Sequence, residues 1–170
     1  MLSCRHDATP AQVVAVDSML TNVEAAILTL NELDKGRYTR AAALYRSDAP
    51  RYQQRFRDTL DRSTALLLGN HFRVLLAAGS MGSDHDSVLL ELASAKARLT
   101  ALRTDLVNGG MDEPHAGPSI ATEREYADSL AHVVNVVITN YRTVQAAWDE
   151  LDTVDVLLAG NNDRERGDLR

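Results

Sequence analysis

Apolar residues recur along this chain at alternating steps of three and four. Val13, Val16, Leu20, Val23, Ile27 and Leu30 form one stripe. Val88, Leu92, Ala95, Leu99, Leu102 and Leu106 form a second, and Leu130, Val134, Val137, Tyr141, Val144, Trp148 and Leu151 a third. That spacing puts every member of a stripe on one side of an α-helix. A helix with a single apolar stripe has to bury it against other helices, so the pattern predicts an all-α protein.

Punctuation between the stripes sets the expected boundaries. Thr9-Pro10-Ala11-Gln12 offers an N-cap, a proline at the first helical position and a capping-box glutamine. The first helix should run from Pro10 to about Asp34, with Gly36 as a left-handed stop. A second helical region spans about Arg37 to Ala78. Pro50 interrupts it, because proline lacks a donor and clashes with the carbonyl four residues back; the spacing therefore places a kink or break at 47–50. Gly79 and Gly82 should end it, leaving 79–87 as a polar turn. Asn108-Gly109-Gly110 stops the third helix, and the loop Gly109 to Pro118, with three Gly and two Pro, cannot be helical throughout. Ser119 or Thr122 opens a fourth helix that runs to Ala159. The expected fold is an antiparallel up-down-up-down four-helix bundle over residues 9–160, preceded by a tether at 1–8 and followed by a polar tail at 161–170.

Composition narrows the function classes. The chain has 170 residues, which suits one domain. The net charge of −6 argues against general nucleic-acid affinity. Charge is uneven, however. Lys35 to Arg62 holds one Lys and seven Arg, whereas Asp149, Glu150, Asp152 and Asp155 make the end of the last helix acidic. These regions read as solvated helix faces of complementary sign. No stretch reaches the ~18 uninterrupted apolar residues of a membrane-spanning helix.

The chemistries that helical bundles support can be tested in turn. Di-iron bundles need Glu-x-x-His pairs, and no His here has a Glu three positions before it. A zincin His-Glu-x-x-His motif is absent, and a single Cys cannot supply a haem attachment pair. His71 is followed by Phe72-Arg73-Val74-Leu75, which does not match a phosphotransfer histidine, so it reads as a histidine at the edge of a packed stripe. Asp84-His85-Asp86 has donor types suited to a metal, but such a triplet more often caps a helix or faces water. Tyr141 and Trp148 occupy stripe positions and read as core. Arg166-Gly167-Asp168 is a chance match to an adhesion tripeptide. No catalytic set and no cofactor site emerges. The long loop with Met111, Asp112, Glu113 and His115 is the expected partner-facing surface, because loops on rigid scaffolds often carry recognition.

The chain opens Met1-Leu2-Ser3-Cys4. Leu-Ser-Cys resembles the end of a bacterial lipoprotein signal peptide, in which cleavage precedes the Cys and the Cys is lipidated. The resemblance implies an anchor at Cys4, with Arg5 to Ala8 as a short tether, and requires that the charged and apolar parts of a signal lie upstream. In outline the expected bundle is also similar to bacterial four-helix sensory domains. The expectation is therefore a non-enzymatic interaction or scaffold protein of the cell envelope, with a protein partner and membrane association only through the anchor. The alternative is a sensory bundle that binds a small ligand or a metal; without the anchor the chain would be cytoplasmic.

Overall fold

The computed structural model describes residues 9–159, so the tether, Cys4 and the 161–170 tail lie outside the described residues. The described residues form five α-helices and no strand: α1 Pro10–Glu32, α2 Gly36–Arg55, α3 Arg62–Val107, α4 Glu113–Asp149 and α5 Leu151–Ala159. The all-α class follows the stripes, but five helices replace the expected four and several boundaries move.

Two boundary signals act as expected. The Thr9 hydroxyl accepts the Gln12 N–H at 3.3 Å while the Gln12 side chain accepts the Thr9 N–H at 2.8 Å, a reciprocal capping box that starts α1. Gly109 takes a left-handed φ of 65° beyond α3. The Gly110 N–H then donates to the Asp105 carbonyl at 2.7 Å, closing a Schellman-type terminus.

Four boundary expectations are corrected. First, Gly36 does not stop α1. Leu33 leaves the helix with extended geometry, and Gly36 is the first residue of α2, where the Asp34 carboxylate accepts its N–H at 3.0 Å. Second, the chain does not break at Pro50, which lies inside α2. The interruption falls at 56–61, where Asp61 opens α3. Its carboxylate accepts from the Thr64 N–H at 3.0 Å, the Thr64 hydroxyl at 2.6 Å and the Ser63 hydroxyl. These donors, Ser63 foremost, hold the Asp61 carboxyl well below the usual carboxylate range. Third, 79–87 is not a turn, because α3 continues through it. A helical glycine costs about 1 kcal/mol relative to alanine, and burial of Leu75, Ala78, His85 and Val88 along this stretch offsets that. Gly82 also has a packing role: a Cβ there would sit 3.2 Å from Tyr38 Cβ, so its absence lets α2 and α3 approach closely. Fourth, most of the Gly109-to-Pro118 loop is helix. α4 begins at Glu113 because Ala116 and Ile120 extend its buried stripe, and Pro118 lies in only its second turn.

The described chain divides into two compact units. One comprises residues 9–33 with Asp84–Ile138. Its core holds the complete second stripe, Val88 to Leu106, together with Val16, Met19, Val23 and Leu30 of α1 and Ala116, Ile120, Leu130, Val134 and Val137 of α4. Three helical segments meet here. Asp17 pairs with Arg103 and Glu24 with Lys96, so α1 and α3 run antiparallel. Arg98 pairs with Glu123, and Tyr126 donates to Glu91, so α3 and α4 do the same. By length and composition α1 is also apolar enough to cross a membrane. In this unit, however, it buries its core face, and two of its carboxylates are ion-paired.

The other unit comprises Asp34–Ser83 with residues 139–159. It buries two clusters. Tyr38, Ala41, Leu75, Ala78 and Val144 form one, and Tyr52, Leu68, Val154 and Leu158 the other. An aromatic group of Tyr45, Tyr52, Phe56 and Phe72 gathers α2 against the first turns of α3. Arg51 bridges Asp48 and, at 2.8 Å, Asp155 of α5, while the Arg55 Nε–H donates to the Leu157 carbonyl at 2.9 Å. The complementary arginine-rich and acidic segments thus meet at α2 and α5, as their charges imply.

Candidate functional site

The four loop residues marked by the sequence are split in use. Met111 packs against the core of its unit. Asp112 precedes α4, and its carboxylate accepts the His115 N–H at 3.3 Å and pairs with the His115 ring. Glu113 and His115 are exposed in the first turn of α4. What was read as a long recognition loop is a five-residue connection, 108–112, whose polar groups largely finish one helix and begin the next.

Both buried histidines bond to backbone carbonyls. His71 is 2% exposed. Its Nε2–H donates to the Ala147 carbonyl at 2.8 Å, and its Nδ1 accepts the Tyr52 O–H at 2.5 Å. A carbonyl can only accept, which assigns the tautomer. One side chain thereby ties α2, α3 and α4 together. Burial, followed by the nearby Asp48 and Asp155 carboxylates, raises the Tyr52 phenol well above its ordinary value, so it stays a neutral donor. In the other unit His85 is fully buried and its Nε2–H donates to the Leu30 carbonyl at 3.1 Å. That carbonyl lies at the end of α1, where it also accepts the Leu33 N–H at 3.2 Å, so His85 adds a second, tertiary bond from α3 to the helix terminus. The Asp84-His85-Asp86 triplet is consequently not convergent: His85 turns inward while both aspartates are exposed. Among the described residues, no group of three or more His, Cys, Asp or Glu side chains is placed to hold a metal.

The arginine-rich α2 is engaged within its own unit. Arg37 lies over the Tyr141 ring at 5.8 Å and Arg40 over Trp148 at 6.0 Å, so both stripe aromatics sit beneath cations at half-buried positions. Arg40 also pairs with Asp34. This arrangement spends guanidinium groups on packing and neighbouring carboxylates rather than presenting them as an open anion cradle.

The surface feature that stands out is on α3. Leu90, Ala93, Ala97, Ala101, Thr104 and Val107 again step by three and four, but they lie on the side opposite the core stripe. Leu90 is 73% exposed and Val107 55%. The small residues between them line a shallow open groove with Lys96 and Asp105 at its edges. Lys96 and Asp105 are the charged side chains that border this face, one on each side of the small residues. The flanking charges Lys96, Arg103, Arg98 and Glu91 are drawn aside into the contacts with α1 and α4 described above. The repeat was present in the sequence as a second phase of the same heptad, masked by the stronger leucine stripe. No family model, curated protein or solved structure matches this chain.

Proposed function

We propose that the chain is a non-enzymatic scaffold that binds another protein through the outward face of α3 between Leu90 and Val107. The carrying observation is that face: a stripe of alanine and threonine with exposed Leu90 and Val107 at its ends and charge only at its edges, on a helix already packed on its other side. Solvated helix faces are normally charged. Alanine and threonine at successive turns let a second helix approach closely, and an amphipathic helix laid along such a groove is a recurrent recognition mode. The use of both buried histidines as ties to backbone carbonyls supports a rigid scaffold rather than an active site. Glu113 and His115 form a secondary partner-facing patch at the start of α4. Anchoring in the bacterial envelope through lipidated Cys4 belongs to the same proposal and rests on Leu2-Ser3-Cys4 alone.

The test is Ala97→Glu, which puts a charge in the middle of the face without touching the core. The variant should keep the wild-type circular dichroism spectrum and denaturation midpoint. Quantitative mass spectrometry of proteins recovered with wild type and variant should show one partner lost from the variant. Equal recovery from both would overturn the assignment of this face. Mass spectrometry of the native protein tests the anchor separately: a diacylated or triacylated Cys4 supports it, and an unmodified thiol removes it.

A further inference from the structure

The unit built from residues 9–33 and Asp84–Ile138 has three seams, and they are not alike. Ion pairs bridge α1 to α3 at Asp17–Arg103 and Glu24–Lys96, and α3 to α4 at Arg98–Glu123. Among the described residues, no ion pair or hydrogen bond bridges α1 to α4. This third seam is lined instead by alanines, Ala26 of α1 and Ala127 and Ala131 of α4, which stop short of filling it. A crevice of about 80 Å³ remains, floored by Leu92 and Leu130 and by Met19. Asn22 and Asp128 lie at its polar rim, one from each helix. Neither forms a hydrogen bond or ion pair with another described residue.

We propose that this crevice is a binding site for a small primary alkylammonium ion. The chemistry of the lining selects the class. An apolar floor favours a hydrocarbon chain by removing it from water. A dry apolar cavity of about 150 Å³ accommodates benzene, so the smaller space here suits a chain of three or four carbons. The rim supplies one carboxylate and one amide carbonyl, both acceptors, and an ammonium head has three N–H donors and no acceptor. An anionic head would instead face the Asp128 carboxylate. The alkyl chain enters between Ala26 of α1 and the Ala127–Ala131 turn of α4, and the head stays at the mouth, between Asn22 and Asp128. This site is distinct from the α3 face and stands or falls without it.

The experiment is a methyl-resolved NMR titration of the full chain with n-butylammonium chloride, with n-butanol and n-butyrate as matched probes. The expected result is saturable shifts of the Met19, Leu92 and Leu130 methyls, strongest for the ammonium and absent for butyrate. Asp128→Asn should weaken ammonium binding by about threefold to fivefold, the scale of one exposed ion pair, and leave butanol unchanged. Ala131→Leu, which fills the crevice, should abolish saturation while retaining the methyl spectrum of a folded unit. Shifts that are non-saturable, equal for all three probes, or unchanged in Ala131→Leu would overturn the proposal.

Discussion

Leu99→Ala, compared with Leu90→Ala, reads the two faces of α3 against each other. Leu99 is 0% exposed and sits in the middle of the core formed by α1, α3 and α4, whereas Leu90 is 73% exposed two and a half turns earlier. Truncating leucine to alanine removes about three methylene equivalents, which at about 0.8 kcal/mol each gives about 2.4 kcal/mol of lost burial. The cavity left behind raises the cost, and buried leucines truncated this way span about 2.7–5.0 kcal/mol. Leu99 has neighbours from all three helices, so collapse is restricted and about 3–4 kcal/mol is expected. In a chain of this size that shifts a thermal midpoint by roughly 6–16 °C. Leu90→Ala loses little burial and exchanges two good helix formers, so its effect should stay within about 0.5 kcal/mol. Urea unfolding followed by circular dichroism at 222 nm measures both. Equal midpoints for the two variants would show that α3 does not present Leu99 inward, and the core assignment would fail.

Two further outcomes concern the other unit. Pro50 lies deep in α2, so Pro50→Ala restores a donor for the Arg46 carbonyl and should stabilise by about 2–3 kcal/mol; an unchanged or lowered urea midpoint would contradict a continuous helix strained at Pro50. Burial, then Tyr141, pushes the Tyr38 phenol up to about 12, and burial raises Tyr52 as well. The unfolded chain sheds these protons near pH 10 while the folded one holds them, so their contribution is intact below about pH 10 and is lost as pH rises toward 12. Absorbance at 295 nm should show both phenols ionising only with unfolding, and free titration of all five tyrosines near pH 10 in the folded protein would contradict their burial.

What the sequence disclosed depended on whether a signal was local. The leucine stripe from Val88 to Leu106 is periodic over six positions and appears intact in the core. Thr9 and Gln12 cap within one turn, and Gly109 turns the chain by its own conformational freedom, so both were legible. Gly79 and Gly82 were misleading because their effect is tertiary: Gly82 yields space to Tyr38, a residue far away in sequence. Pro50 misled for a similar reason, since the packing of Tyr38, Ala41 and Tyr52 holds α2 together across it. His71 and His85 were visible only as isolated histidines; their partners, the carbonyls of Ala147 and Leu30, are backbone atoms that no motif encodes. The α3 outer face was encoded all along, as a second set of heptad positions without charge.

α3 runs unbroken through Gly79 and Gly82, and both the close approach of Gly82 to Tyr38 and the inward placement of His85 depend on helical phase holding there. Backbone 13Cα secondary shifts across residues 77–90 test it directly. The account predicts continuous positive helical shifts through both glycines and slow amide exchange at Leu92. A run of coil shifts at 79–87 would restore a turn there and separate the two halves of α3.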